Sequence, residues 1–339
     1  MPQKNISIRD IAQRAGVSIA TVSRVINNNG RFSEETRQRV QRFIDESGYV
    51  TNMAARSLRS SRSRTIGVIV PDISNEWFSR MVLELEGSFF EKGYSVFICN
   101  TSQDEAREDE YFRLLDAKLV DGIICISGRP EIPTDAISRA IPIVCIDRHP
   151  ETDAPIYYVE SDHRQGGYLA TSALIERGCS HIALVSRHRE LSPTQSRFKG
   201  YRQALADHGL PYDERLRIVV GGDPARDGMR TREAVDALIE SGIPLDGIFA
   251  TNDRRAFQAV SSLQAHGLRV PEDVKVIGFD DTSIASACKP TISTMRQDAS
   301  ALARAARNLF LRASTGESIP GDERHVVLPV LFVERESTG

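Results

Sequence analysis

Cysteine is scarce and unpaired in pattern. The 339-residue chain has five, Cys99, Cys125, Cys145, Cys179 and Cys288, with no CxxC spacing, which argues against a zinc ribbon or a redox dithiol. Three of them end or interrupt apolar runs (VFIC, GIIC, IVC), so they read as small buried hydrophobes rather than disulfide partners. Long apolar runs are also missing. Stretches such as TIGVIV and DGIICIS last about six residues, against the roughly 20 that span a bilayer. The start, MPQKNISIRD, lacks the apolar core of a secretory signal, so a cytoplasmic location is expected. No GxGxxG follows a strand, and no P-loop, GxSxG elbow or HExxH helix occurs. The seven histidines are scattered, and His181 and His188 read as surface or strand-edge residues. Neither a metal nor a cofactor is expected.

What is present is an uneven charge. The net charge of -3 conceals a first segment, residues 1–64, with 12 Lys and Arg against 5 Asp and Glu. That segment carries +7, and the other 275 residues carry -10. A small basic head on a large acidic body suits a polyanion, with nucleic acid the leading candidate.

The head has helical periodicity and turn signals, so it should fold. Ser7 followed by Asp10 resembles a capping box, and Ile8, Ile11, Ala12 and Ala15 recur at helical spacing over residues 7–15. Gly16 supplies a tight turn. Ser18 then caps a second helix over residues 18–26, with Val22 and Val25 facing inward. Two helices joined by a short turn containing Gly make a helix-turn-helix, whose second helix enters the major groove by its N-terminal end. Ile19, Ala20 and Arg24 stand where bases are read: Arg24 can fork onto guanine, and the two apolar residues can touch thymine methyls. Thr21, Ser23 and the run from Asn27 to Asn29 suit phosphate contacts. A third helix opens at Ser33, runs through Val40, Phe43 and Ile44, and ends at Gly48. The next segment, TNMAARSLRSSRSR, has a capping Asn52, one or two helical turns through Leu58, and a Ser and Arg tether. A helix this short is marginal in water without a partner.

GVSIATVSRVINN, NMAARSLRS and TIGVIVPD together resemble the LacI/GalR family of bacterial transcriptional repressors, and the likeness runs to the C-terminus. The resemblance implies that the short segment is a hinge helix pairing with its dimer mate in the minor groove. Leu58 would then be a wedge in the central base step, flanked by Ala55 and Arg59. It implies a helix-turn-helix domain over residues 1–50, a hinge and linker over 51–64, and an effector-binding and dimerisation domain over 65–335. It further implies a homodimer on a palindromic DNA operator, with no membrane and no catalytic residue. Sugar-responsive members are usually released from DNA by effector, and some purine-responsive members are driven onto it.

The body agrees with this at the level of pattern. IGVIV, YSVFIC, DGIICIS, PIVCID, HIALVS, LRIVV, DGIFAT and VKVIGF are eight strand-like runs alternating with helical stretches, the signature of βαβ units and parallel sheets. The expected fold is an α/β two-lobed periplasmic-binding-protein-like core, parallel sheets flanked by helices, behind the all-α head. By resemblance, lobe one spans about 65–161 and 294–321, and lobe two about 162–293 and 322–335, with three crossovers.

Ligands of open α/β sheets sit beyond the C-terminal ends of the strands, so the residues after each strand are the candidates. Trp77, the single tryptophan, and Phe78 offer stacking faces. Asp147 and Arg148 follow the fourth strand, Arg197 lies in SPTQSRFKGY, and Asn252 and Asp280 follow two later strands. Carboxylates accept from vicinal hydroxyls and an Arg fork donates to them. By resemblance, the positions of Asp147, Arg197, Asn252 and Asp280 contact effector in sugar-responsive members, so a carbohydrate is expected, with a purine as the alternative. Asp253 and Asp281 read as helix caps. Arg254 and Arg255 read as a solvated face in preference to a site for an anionic sugar, and Pro224 replaces an aromatic that closes over effector in many members. No heptad segment is left for a C-terminal coiled coil. Two other classes remain on the residues alone: a sugar-modifying α/β enzyme with a DNA-binding head, and a solute-binding protein, against which the head and the missing signal argue.

Overall fold

The computed structural model describes residues 6–26, 28–47, 62–126, 131–150, 155–187, 192–221 and 226–339. The chain divides into two compact units, Met1–Ser63 and Arg64–Gly339.

The first unit contains α1 (Ile8–Ala15), α2 (Ile19–Ile26) and α3 (Glu34–Ser47). The Ser7 N–H donates to the Asp10 carboxylate at 2.8 Å while the Ser7 hydroxyl accepts from Asp10 N at 3.4 Å, a complete capping box. Gly16 ends α1 at φ +63°, a backbone that favours glycine. Ser18 caps α2 by accepting from Thr21 N at 3.1 Å, and Ser33 does the same for Thr36 N at 3.2 Å. Ile11, Ala12, Ala15, Val22, Val25 and Val40 form the buried core, and Phe43 and Ile44 pack against it.

The second unit has two six-stranded sheets. The first has the order β11-β5-β4-β3-β1-β2, and the second β12-β10-β9-β8-β6-β7. In chain order these are β1 (Thr65–Val70), β2 (Ser95–Asn100), β3 (Gly122–Ile126), β4 (Ile143–Ile146), β5 (Ile156–Ser161), β6 (Ile182–Arg187), β7 (Arg217–Val220), β8 (Gly247–Ala250), β9 (Lys275–Phe279), β10 (Ser293–Arg296), β11 (His325–Leu328) and β12 (Leu331–Val333). All pairings are parallel except that of β12 with β10. The helices are α4 (Glu76–Phe90), α5 (Glu105–Ala117), α6 (His163–Glu176), α7 (Ser192–Asp207), α8 (Asp227–Glu240), α9 (Asp253–Ala265), α10 (Ser283–Ala287) and α11 (Ala299–Ser314). Among the described residues no helix is long and apolar enough to cross a membrane.

Each sheet is covered on both faces, as a parallel sheet requires. In the first lobe, α4 and α11 bring Met81, Leu85, Phe89 and Phe310 onto Ile66, Val68 and Val70. On the other face, Phe112 and Leu115 of α5 meet Ile69, Ile123, Cys125 and Cys145. In the second lobe, α8 and α9 cover one face and α6 and α7 the other. The buried cysteines in these clusters are free thiols packing as hydrophobes.

The lobe boundaries differ from the sequence expectation by a few residues. β10 belongs to the second sheet, so the return to lobe one follows Arg296 instead of starting at 294. β11 belongs to the first sheet, pairing His325↔Tyr158 through Leu328↔Ser161, so the last crossing follows Leu328 instead of 321. The chain therefore passes between lobes three times, after β5, β10 and β11. The physical reason for the shift at β10 is polar burial: Ser293 and Thr294 are fully buried, yet their hydroxyls are satisfied by the Arg335 carbonyl, Thr338 and Asp253.

Candidate functional site

In the first unit, Ser18, Ile19 and Ala20 are exposed around the start of α2 and Arg24 is exposed in its last turn, while Thr21 and Ser23 are half-buried. An apolar Ile19 left 37% exposed at a helix N-terminus has no intramolecular role in the core. The hydroxyl of Ser18 is committed to capping α2 and pairs with Thr21 Oγ1 at 2.9 Å. The Arg24 stem lies along Gly30, which adopts φ +92°; a methyl there would come within 3.2 Å of Arg24 Cδ. Asn27, Ala55, Leu58 and Arg59 lie outside the described residues.

The second unit holds a cavity between its lobes, with about 1030 Å³ of empty space counting its open mouth. Trp77, Phe78, Asp147, Arg197, Asn252 and Asp280 all line it. Asn75 caps α4, accepting from Trp77 N at 3.0 Å, which fixes the aromatic pair at the helix start beside the cavity. Asp72 and Gln103 complete the polar part of that wall.

The strands β4 and β9 occupy equivalent positions in their sheets, and Asp147 and Asp280 directly follow them. Both adopt positive φ, +52° and +101°. Aspartate tolerates this region better than most residues, and each backbone N–H is tied to the neighbouring strand, Asp147 N to Val159 O at 3.0 Å and Asp280 N to Met295 O at 2.9 Å. The turn aims both carboxylates into the cavity rather than along the sheet.

Between them runs a buried polar chain. His163 Nε2 lies 2.8 Å from Asp147 Oδ1, and its Nδ1 lies 3.2 Å from Arg197 Nη2. Arginine can only donate, so Nδ1 is the acceptor and Nε2 carries the hydrogen given to Asp147. Arg197 also donates to the Thr251 carbonyl at 2.5 Å, lies 3.7 Å from Asp280, and stacks its guanidinium 3.6 Å from the Phe279 ring centroid. Gln297 donates to Asp280 at 2.7 Å. Burial pushes the Asp280 carboxyl up to about 6 against the opposing pull of Arg197. The glycines explain how Arg197 arrives here: a methyl at Gly167 would overlap the Arg197 carbonyl, and one at Gly200 would overlap that of Arg164. Only two glycines let α6 and α7 approach this closely.

Several expectations need correction. Arg148 does not line the cavity; it is buried in the first lobe, paired with Glu108 at 2.7 Å and donating to the Glu131 carbonyl. Asp253 is not a cap. Asn252 caps α9, accepting from Arg255 N at 2.9 Å, while Asp253 accepts from Thr282 N, Thr282 Oγ1 and Thr294 Oγ1 and so staples α9 to β10 and the turn before α10. Burial pushes its carboxyl up to about 7. Asp281 likewise is an ion-pair partner, of Arg296 and Arg335, and not a cap. Arg255 is not on a solvated face: it is buried in the cavity wall, and its Nη2 donates to both Asp227 carboxylate oxygens at 2.9 Å. Arg254 is exposed at the same cavity. Pro224 and His188 lie outside the described residues. His163 and Gln297 were not among the candidates because the strands they follow, β5 and β10, are not apolar runs, and Asp227 opens a helix. Only the Ser161-Asp162-His163 break between strand and helix hinted at the first.

Residues 7–52 match the sequence model for bacterial regulatory proteins of the lacI family, and residues 171–338 match that for a periplasmic binding protein-like domain. A relative described as HTH-type transcriptional regulator DegA, from Bacillus subtilis (strain 168), is 34% identical over 338 residues, covering 98% of each chain. The chain belongs to the lacI family of bacterial regulatory proteins. Further members of the family include a ribose operon repressor from Halalkalibacterium halodurans, 32% identical and covering 98% of this chain and 97% of its own. An HTH-type transcriptional repressor PurR from Vibrio atlanticus (strain LGP32) is 35% identical over 86% of each chain. Among solved structures of the family, a lac repressor dimer bound to operator and the anti-inducer ONPF is 27% identical with TM-score 0.85, covering 99% of each chain. A complex of the transcriptional regulator CelR with cellobiose is 28% identical with TM-score 0.73, covering 98% of this chain and 99% of that one. As a family member this chain is a DNA-binding transcriptional regulator with a helix-turn-helix head and a periplasmic-binding-protein-like body.

Proposed function

We propose that this regulator is a homodimeric repressor that binds a palindromic operator and is switched by a small carbohydrate in the interlobe cavity. The observation that carries the effector class is the supply of acceptors: Asp72, Asp147, Asp227 and Asp280, with Asn75, Gln103 and Asn252, surround one aromatic pair. A sugar presents many O–H donors and an apolar ring face, and each buried hydroxyl needs an acceptor. A purine has few N–H donors and would leave most of these carboxylates unmatched. Two buried atoms of cavity-lining side chains, Arg197 Nε and Arg255 Nε, have no hydrogen-bond partner among the described residues, as expected where a ligand completes the network. The relative named for a ribose operon and the solved cellobiose complex support the same class.

For dimerisation, support comes from Leu83 and Phe90 on α4 and Phe97 and Ile98 on the edge strand β2, which are 46–71% exposed. A row of apolar side chains beside an unpaired strand edge is a surface that seeks a second copy. On DNA, Ile19, Ala20 and Arg24 read bases, Thr21, Ser23 and Asn27 hold phosphates beside the Ser18 cap, and Leu58 wedges the central step between Ala55 and Arg59.

Trp77 is the only tryptophan and lines the cavity, so its fluorescence reports binding directly. Titration with monosaccharides, disaccharides, sugar phosphates and purines should give a saturable change with a sugar. Repeating it with operator DNA present gives the sign of the coupling, since each ligand shifts the other's affinity by the same factor. A response confined to purines would overturn the carbohydrate assignment. Leu58→Ala should weaken operator binding while leaving effector affinity unchanged; equal operator affinity would remove the wedge.

A further inference from the structure

Outside the cavity, His149, Glu160 and His325 converge on one face of the first sheet, near its β11 edge. His149 Nε2 lies 2.9 Å from Glu160 Oε2, and His325 Nε2 lies 2.8 Å from Glu160 Oε1. The donor atoms of all three lie within 4.8 Å of one another. We propose that these residues form a binding site for a divalent transition ion of the zinc class.

The backbone builds this arrangement. Glu160 lies two residues after Tyr158 on β5, so both project from the same face of the strand. His325 stands directly opposite Tyr158 in the β5–β11 register. His149 arrives from the turn after β4 and stacks its ring on Tyr158, with centroids 5.3 Å apart and planes 5° from parallel. The two imidazoles meet edge to face at 5.2 Å, which leaves both Nε2 atoms aimed at one carboxylate. The rings are thus held by packing, and little ordering is left to be done on binding.

Two imidazole nitrogens and one carboxylate oxygen form a ligand set that suits zinc, with a further coordination position open to water. At bonds of about 2.0–2.2 Å, tetrahedral ligand atoms stand about 3.3–3.5 Å apart. The two histidine-to-glutamate spacings of 2.9 and 2.8 Å would open by about half an ångström, within the reach of side-chain torsion. The two histidine side chains are 37% and 40% exposed and the glutamate 17%, so an ion can enter from solvent while the carboxylate stays anchored. None of the three lines the interlobe cavity, so the site is separate from the effector site. An ion here would clip the turn after β4 to β11 across β5.

The test uses the full chain after chelator treatment, with Zn²⁺ as the probe and calorimetric titration as the readout. One Zn²⁺ per chain is expected to bind, with a rise in Tm on saturation. His325→Ala and His149→Ala should each weaken that binding at least tenfold while leaving the Tm of the metal-free protein within a few degrees of the parent. Cobalt(II) should give the visible spectrum of a four- or five-coordinate site with the parent and not with either variant. Absence of binding at 100 micromolar Zn²⁺, or stoichiometric binding that survives both substitutions, would overturn the assignment.

Discussion

The two lobes present different chemistry to the same cavity. Among the described residues, the wall from the first lobe has an aromatic pair, two carboxylates and no cation, and the wall from the second has four arginines and two aspartates. Yet the backbone plan is shared, since β4 and β9 hold equivalent positions and each is followed by an aspartate at positive φ. What differs is how each aspartate is held. Asp147 is bonded by His163, just past the first crossing, and Asp280 by Gln297, just past the second. Each lobe's central carboxylate is therefore fixed by the strand of chain that leaves for the other lobe. A ligand that repositions either carboxylate acts directly on a connection between lobes, which is how differential contacts bias a two-state domain rotation.

If the second lobe's wall is an electrostatic network and the first lobe's a stacking surface, the substitutions should separate. Arg197→Ala has the largest expected effect: it strips the buried Asp280 of its cation, and a buried pair broken on one side costs about 3–5 kcal/mol. Chemical denaturation should show that loss together with loss of effector response; a stable variant with intact response would break the contrast. Next comes Asp253, whose carboxyl is raised by burial to about 7. A group that holds its proton more tightly folded than unfolded contributes most at low pH, and that contribution declines as pH rises from 3.8 through about 7. Tm should therefore fall between about pH 4 and pH 7, and Asp253→Asn should flatten the fall; parallel profiles would refute the assignment.

In the first lobe, Phe78→Ala should weaken effector binding about three- to tenfold, the range of one aromatic stacking contact, while changing stability little because Phe78 is only half-buried. A large loss of stability would instead make it a core residue. The smallest effect belongs to Glu76, which accepts from Ser283 N at 2.8 Å and Ser283 Oγ at 2.5 Å across the lobes. Its partly exposed carboxylate is screened by water, so Glu76→Gln should change effector affinity less than about threefold, readable by the same Trp77 titration.

Much of this architecture was legible in the sequence because burial writes itself as pattern. All eight strand runs that read as apolar are strands, and the capping residues Ser7, Ser18 and Ser33 sit where their hydroxyls are used. Four strands were not legible. IYYVES and HVVL carry the polar Glu160 and His325, and STMR hides two polar residues satisfied by the distant Arg335 carbonyl, Thr338 and Asp253. LFV is three residues long. The cavity residues that follow strands could be named in advance, whereas Arg148, Arg255 and Asp253 were misread because their roles depend on Glu108, Asp227 and Thr294, partners far away in sequence. The histidine and glutamate cluster was equally hidden, its members separated by intervals of 11 and 165 residues.

The triple crossing also bears on how the protein is made. The first lobe's sheet cannot be completed when residue 161 leaves the ribosome, because its edge strand β11 and its covering helix α11 come after the whole of the second lobe's first five strands. α4 lacks Phe310 against Phe89 until the helix Ala299–Ser314 has emerged, and β5 has a bare edge until His325–Leu328 has followed it. A nascent chain of this protein is therefore most exposed to wrong pairing late in synthesis, and removal of its last few dozen residues would damage both lobes at once.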